Sequence, residues 1–323
     1  MSTSFTDAFK IYKRKCPVPD LSSVVNPQDP KFNELLRSVR VDSQSTDAGD
    51  FGLRPPETWQ VQELLAHPGL LIVQNPFTAL GQRYWIARCL RDFPKHPNRT
   101  NLLTQKLPES VRRDFWALLS TEEEESVRKK LKTCLRWSTL GYHHDWERKV
   151  YSEEEKHPFP ADLHALTGIL GQILSFPGFR AQAAIVNFYP QGSTLAGHTD
   201  HSEVDLEAPL FSISFGQEAV FLIGGTSKDS PATALLLHSG DIVIMSKQSR
   251  LCFHAVPKIL LNGRESWNSG DFPAGVTQRP EIDADLWLKC NQMDFWRPFN
   301  HYLSDCRINL NIRQVLAADA TTL

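Results

Sequence analysis

His198-Thr199-Asp200, a distant His254, and Arg307-x-Asn309-x-Asn311-x-Arg313 are the residues of this chain whose types and spacing could do chemistry. Two imidazoles and one carboxylate on a common centre bind Fe(II) and leave three coordination positions open for a co-substrate and oxygen. On an extended segment residues i and i+2 point to the same side, so His198 and Asp200 can share one ion. His254 opens the strand-like His254-Ala255-Val256-Pro257 and is placed to supply the third ligand. An HxD tripeptide alone is a weak signal, and rivals stand close by. His143-His144-Asp145 repeats it, and His201-Ser202-Glu203 fits if glutamate is allowed. A lone histidine such as His254 is more often a structural residue than a ligand; the company of the arginine segment reverses that preference.

Arg307 to Arg313 alternates polar and apolar residues over seven positions, the pattern of a β-strand with one polar and one aliphatic face. An ordinary outer strand alternates too, but that does not explain arginine at both ends with asparagines between. The two guanidinium groups are separated by roughly 20 Å of strand, and their long side chains can still converge. One can fork onto the distal carboxylate of 2-oxoglutarate while the other holds the keto-acid end or a metal ligand. Buried unpaired arginines are costly, so an anion is their natural partner. Asn187-Phe188-Tyr189 places an amide and a phenol at i and i+2 of another strand, both able to donate hydrogen bonds.

The elements that must position these residues change character along the chain. From Ala183 onward, β-rich segments fall at 183–189, 209–215, 219–223, 233–237, 241–245, 253–257 and 307–315, with Gly-Gly, Ser-Gly-Asp and Pro between them. Many short strands with turn signals indicate a sandwich or barrel, not a parallel α/β sheet. Residues 80–93, 108–136 and 161–175 read as helical, and 262–285 as a long surface insertion. Phe5, Ala8, Phe9 and Tyr12 recur at helical spacing beside Lys10, Lys13, Arg14 and Lys15. A transit peptide shares some of these features; a surface helix docking its aromatic stripe on the core is the preferred reading. The expected division is an N-terminal helix and extended arm (1–60), a helical substrate-recognition region (61–180) and an oxygenase barrel (181–323).

Bulk properties bound the function. With 323 residues, 41% hydrophobic and 22% charged, the chain is an ordinary globular protein with ample length for a core. A net charge near −2 leaves any nucleic-acid surface as a local patch. Six cysteines without CxxC spacing argue against a zinc ribbon or disulfide framework. No apolar run approaches the length of a membrane span. Scattered cysteines point to a reducing compartment and not a secreted protein.

Together, Asn187-x-Tyr189, His198-x-Asp200, His254 and Arg307-x-Asn309-x-x-x-Arg313 resemble the AlkB family of Fe(II)/2-oxoglutarate dioxygenases, and the Asn187-to-His198 spacing favours His198/Asp200 over His201/Glu203. Arg136-Trp137, Gly141-Tyr142-His143-His144-Asp145-Trp146, Phe211-Ser-Ile-Ser-Phe215-Gly216-Gln217 and His238-Ser-Gly240-Asp241 are similar to the eukaryotic AlkB homologue 1 branch, over roughly residues 5–320. One departure is Asn311, where the family usually has threonine.

The resemblance implies an α+β fold with a double-stranded β-helix (jelly-roll) core and N-terminal helices packed around it. It implies Fe(II) on His198, Asp200 and His254, with Asp200 essential to catalysis, and 2-oxoglutarate held by Asn187, Tyr189, Arg307, Asn309 and Arg313, with O2 as oxidant. Demethylation of nucleic acid follows, with N6-methyladenine in unpaired DNA and 1-methyladenine in tRNA as leading substrates and 5-methylcytosine oxidation in tRNA beside them. The resemblance adds the expectation of a monomer in the nucleus, mitochondrion or cytoplasm. Trp137, Tyr142, His144, Trp146 and Tyr151 precede the barrel and would stack on an extruded base. Two other classes remain: histone or protein demethylation or hydroxylation with the same iron, and an abasic-site lyase, for which no lysine stands out. Asp200→Ala separates them, because a lyase does not depend on the triad.

Overall fold

The alternation of residues 306–313 decides how the molecule is layered, because both faces of that strand are buried. The computed structural model describes residues 4–42, 47–105, 107–270, 272 and 279–323. Its strands are β1 (Leu36–Ser38), β2 (Gln60–Leu64), β3 (Leu70–Gln74), β4 (Arg99–Thr100), β5 (Trp137–Gly141), β6 (Ala183–Pro190), β7 (Leu195–His198), β8 (Leu210–Gly216), β9 (Glu218–Ile223), β10 (Thr233–Leu237), β11 (Ile242–Met245), β12 (His254–Leu260) and β13 (Cys306–Arg313). The helices are α1 (Phe5–Lys13), α2 (Ala79–Ala87), α3 (Glu109–Arg113), α4 (Phe115–Thr121), α5 (Glu125–Cys134), α6 (Ala161–Ile173), α7 (Ala284–Cys290) and α8 (Met293–Leu303).

The strands form two antiparallel sheets, a nine-stranded one ordered β1-β2-β3-β11-β8-β13-β6-β5-β4 and a four-stranded one ordered β10-β9-β12-β7. The chain passes from one to the other at Gly216, whose φ of +83° suits glycine and where a β-carbon would lie 2.5 Å from the Cys306 carbonyl oxygen. Ile308, Leu310 and Ile312 point outward into the main core, with Leu166 and Leu170 of α6, Trp85 of α2 and Trp296 of α8. A second apolar cluster joins Ile72 and Val243 of the large sheet to Phe221 and Val256 of the small one, so the two sheets face each other as in a jelly roll. The polar alternates of β13 therefore look into the space between the sheets.

On the outer face of the small sheet, α1 buries Phe5 and Ala8 against Val220, Leu222 and Ala255, as its aromatic stripe predicts. Phe5 presses on two glycines, where an added β-carbon would lie 2.4 Å (Gly197) and 2.7 Å (Gly224) from its ring.

Several expectations are corrected. The helical reading of 108–136 becomes three helices, because Asp114 caps α4 by accepting from the Ala117 N–H and residues 122–124 leave the helical path. Residues 61–180 contribute β2 to β5 to the large sheet, so strand pairing shows no break at 181. Residues 262–285 are not wholly a surface insertion: Trp267 is fully buried and donates to Asn300 at 2.7 Å, while 271 and 273–278 lie outside the described residues. Among the described residues no helix is long and apolar enough to cross a membrane.

Candidate active site

Register along β13 sets the floor of the site. Arg307 stands opposite Tyr189, Asn309 opposite Asn187 and Ser214, and Asn311 opposite Ile185 and Ser212. Cross-strand partners share a face, so these side chains gather between the sheets. On the other sheet, His198 ends β7, His254 begins β12, and the two are direct cross-strand partners with ring centroids 4.3 Å apart.

Asp200 lies two residues past the end of β7. Ligand atoms of His198, Asp200 and His254 all lie within 4.8 Å of one another, the one such group among the described residues. Nδ1 of His198 meets the Ala196 carbonyl at 3.0 Å and Nδ1 of His254 meets that of Cys252 at 3.1 Å. A carbonyl accepts only, so each ring carries its proton on Nδ1 and turns the Nε2 lone pair toward Asp200. His198 Nε2 is 4.0 Å from Asp200 Oδ1, and His254 Nε2 is 3.6 Å from Oδ2, which has no hydrogen-bond partner. Burial, with His198 alongside, lowers the His254 imidazole to about 4, so it is neutral at pH 7. Burial alone would raise the Asp200 carboxyl, but Arg313, then His254 and His198, hold it well below the usual carboxylate range. Two imidazoles that turn Nε2 toward one carboxylate with a spare lone pair are a donor set that fits Fe(II).

The two arginines of β13 are held differently. Arg313 donates to Asp200 Oδ1 at 2.9 Å and lies 3.3 Å from Glu203 Oε1. Glu203 also accepts from Tyr151 at 3.1 Å and from Arg250 at 3.0 Å. Arg250 reaches the carbonyls of Asp200 (2.7 Å) and Ala208 (3.0 Å), strapping down the loop that carries the metal-binding carboxylate. Among the described residues Arg307 donates to the Gln217 carbonyl at 3.0 Å and Ser214 Oγ at 2.6 Å, and its Nε and the neighbouring Tyr189 hydroxyl have no hydrogen-bond partner there. Burial pulls its guanidinium down to about 10. Asn309 donates to Ser212 at 2.8 Å beside it. A buried cation with spare donors and a phenol aimed nearby is suited to a carboxylate ligand.

A cavity of about 560 Å³ opens onto the triad. His144, Trp146, Lys149 and Tyr151 form one wall, Asn187, Asn311 and Arg313 the floor, and Phe253 and Lys228 the far side. Tyr189, Asn309 and Arg307 do not line it and lie behind Asn187. His144 stacks edge-on between Trp146 (4.8 Å) and Tyr151 (5.3 Å) and shares a 2.9 Å hydrogen bond with Ser202. Trp137, on β5 opposite Asn187, packs 5.7 Å from Trp146.

Tyr142 is a correction: it is 1% exposed, accepts from Lys156 at 2.8 Å, donates to Glu153, and borders a different cavity with His157 and Arg180. It follows the end of β5, where Gly141 turns the chain with a φ of +71°. Of the rival ligands, His143 is buried between Thr139 (2.7 Å) and His157 (2.8 Å), Asp145 caps a turn, His201 is exposed, and Glu203 holds arginines. Sequence reasoning missed Arg250, Phe253 and Lys228 as parts of the site. Phe253 was findable as the neighbour of His254; Arg250 carries no local signal.

Comparison with known proteins agrees with this geometry. Residues 69–313 match the model of the 2OG-Fe(II) oxygenase superfamily. The human protein named nucleic acid dioxygenase ALKBH1 is 35% identical over 98% of this chain and 85% of its own length. Schizosaccharomyces pombe tRNA demethylase abh1 is 35% identical over 80% of this chain and 88% of its own. Arabidopsis thaliana DNA N(6)-methyladenine demethylase ALKBH1A is 31% identical over 94% and 90%.

Proposed function

Since the chain belongs to the 2OG-Fe(II) oxygenases, in the AlkB branch of the ALKBH1 nucleic acid dioxygenases, we propose that its cavity oxidatively removes N-methyl groups from unpaired bases of nucleic acid. The observation that carries this reading is the meeting, in one cavity, of the His198–Asp200–His254 triad with a wall of aromatic rings.

In this reading Nε2 of His198 and of His254 and a carboxylate oxygen of Asp200 would hold Fe(II). Arg307 and Tyr189 take the distal carboxylate of 2-oxoglutarate, with Asn309 ordering the strand beside them, and Asn187 and Arg313 hold its keto-acid end. When bound, the iron with 2-oxoglutarate and O2 supplies the oxidant that hydroxylates the N-methyl carbon. The chain's own residues orient and exclude. Arg313 keeps Asp200 ionised, Arg250 fixes its loop, and His144, Trp146 and Tyr151 take the base and displace water. The N-hydroxymethyl product would release formaldehyde as its hydroxyl proton leaves and the C–N bond breaks; the exocyclic nitrogen of N6-methyladenine takes up a proton to regain its N–H, whereas N1 of 1-methyladenine keeps the electron pair as a lone pair.

N6-methyladenine in unpaired DNA and 1-methyladenine in tRNA both carry the methyl on the base edge that pairing hides, so both need the extrusion that a stacking wall supports. Anaerobic reconstitution with Fe(II) and 2-oxoglutarate, followed by oxygen and mass spectrometry of methylated tRNA, bubbled DNA and histone peptides, tests the reading. Succinate and formaldehyde in equal amounts with the nucleic acids, and none with Asp200→Ala, are expected. Turnover confined to the peptides would overturn it.

A further inference from the structure

Two cations at the mouth of the cavity have no part in holding iron or 2-oxoglutarate. Lys149 lines the cavity with its chain neighbours Trp146 and Tyr151, and Lys228 lines it from the loop between β9 and β10, over Phe253. Neither has a carboxylate partner among the described residues. The cavity's own carboxylates, Asp200 and Glu203, are taken up by Arg313 and Arg250. Two lysines from separate segments that line one cavity without a carboxylate partner attract anions.

Both lysines ride on fixed backbone. The Lys149 N–H donates to the Asp145 carbonyl at 2.8 Å, and Asp145 Oδ1 accepts from the N–H groups of Glu147 (2.9 Å) and Arg148 (3.0 Å). This turn holds Lys149 at a φ of +57°, a conformation that residues with a β-carbon rarely adopt and that clusters at functional sites. Across the opening, α1 anchors the Lys228 loop. Phe5 N–H donates to the Ser230 carbonyl at 2.9 Å, and Ser4 forms a bridge with Pro231. The Lys228 ammonium sits 5.4 Å from the centroid of the Phe253 ring, which itself lines the cavity. Trp146, half-exposed, offers a stacking face in the same opening.

We propose that Lys149 and Lys228 form a two-sided phosphate clamp: with a base inserted toward the triad, one ammonium takes the phosphate on the 5′ side of that nucleotide and the other the phosphate on its 3′ side. An internal nucleotide of an unpaired strand is then the preferred ligand, because a nucleoside or a strand end cannot fill both positions. The inference rests on the nucleic-acid reading above and adds which phosphates are gripped and by what.

The test is binding of a short labelled single-stranded DNA with one central N6-methyladenine to the full chain loaded with Mn(II) and 2-oxoglutarate, followed by fluorescence anisotropy across a salt series. Lys149→Gln and Lys228→Gln should each flatten the slope of log affinity against log salt by about 0.7, the single-strand value per phosphate, and Lys→Arg at either position should restore it. Replacing the 5′ or the 3′ phosphate by a neutral methylphosphonate should weaken binding of the unsubstituted protein. Each Gln variant should lose its response to one of these replacements, a different one for each lysine. Unchanged slopes, or both variants responding alike to both replacements, would overturn the clamp. Formaldehyde release from the same DNA with Fe(II) is scored separately: its absence beside the expected slopes would sink the demethylase reading and leave the clamp standing.

Discussion

The two ends of β13 carry the same side chain in opposite electrostatic situations. Arg313 is buried against two carboxylates, Asp200 and Glu203, and its charge is satisfied before any ligand arrives. Arg307, just as buried, has one carbonyl and one hydroxyl, and no carboxylate ion pair among the described residues. Burial opposes the charge at both, but Asp200, Tyr151 and Glu203 override it at Arg313, whereas Arg307 titrates lower than a free guanidinium. The difference teaches that one end of the strand builds the site and the other waits for a ligand. A buried cation without a counter-ion is a standing cost to the fold that an incoming dianion removes.

The largest effect expected is for Asp200→Ala. It removes the metal carboxylate and one of the two partners of Arg313, so turnover should fall to background and metal affinity by more than about 100-fold, read by isothermal titration with Mn(II). The sharpest test of the comparison is the pair Arg313→Leu and Arg307→Leu, followed by urea unfolding with and without 2-oxoglutarate. Losing Arg313 strands the buried Asp200 carboxylate and should cost about 3 kcal/mol. Losing Arg307 should be neutral or stabilising without ligand, yet abolish the stabilisation that 2-oxoglutarate brings and weaken its binding roughly 100-fold. Equal destabilisation by both changes would dissolve the distinction.

Glu203→Gln keeps the shape but drops a charge shared by Arg313, Arg250 and Tyr151, and should cost about 2 kcal/mol with a rise in the KM for 2-oxoglutarate. The smallest effect lies outside the cavity. Burial, with Arg99 and His157 nearby, lowers His143 to about 4 from an unfolded value near 6.5. Its neutral form is thus favoured in the fold. That contribution is complete above pH 6.5 and is lost as pH falls toward 4, by about 1 kcal/mol at pH 5.5. In His143→Gln, the fall in unfolding free energy between pH 7.5 and 5.5 should be smaller by that amount.

What was legible in the sequence follows from how local its cause is. The period-two alternation of Arg307–Arg313 is a property of one strand, so its two faces could be read directly. The HxD pair could be read but not chosen over its rivals by geometry alone, because the choice depends on β7 pairing with β12, and β7 is only four residues long and contains a glycine. Tyr142 was misplaced for a related reason. Residues 137–141 are a strand, and beyond Gly141 the Tyr142 ring packs 6.4 Å from Tyr151 without lining the cavity. Arg250 and Glu203 meet across 47 residues and have no local pattern to betray them. α8 was overlooked with Pro298 inside it, and its role is to bury Trp296 and Phe299 in the main core.

The seat of Phe5 on Gly197 and Gly224 ties the first turn of the chain to the metal, because Gly197 immediately precedes His198 and the Phe5 ring also lies 6.1 Å from Phe253, the neighbour of His254. Trimming the first residues through α1 to simplify purification would therefore leave an enzyme whose histidines no longer share a fixed backing. The deficit would surface as poor iron retention, a symptom that points away from its origin in the first ten residues.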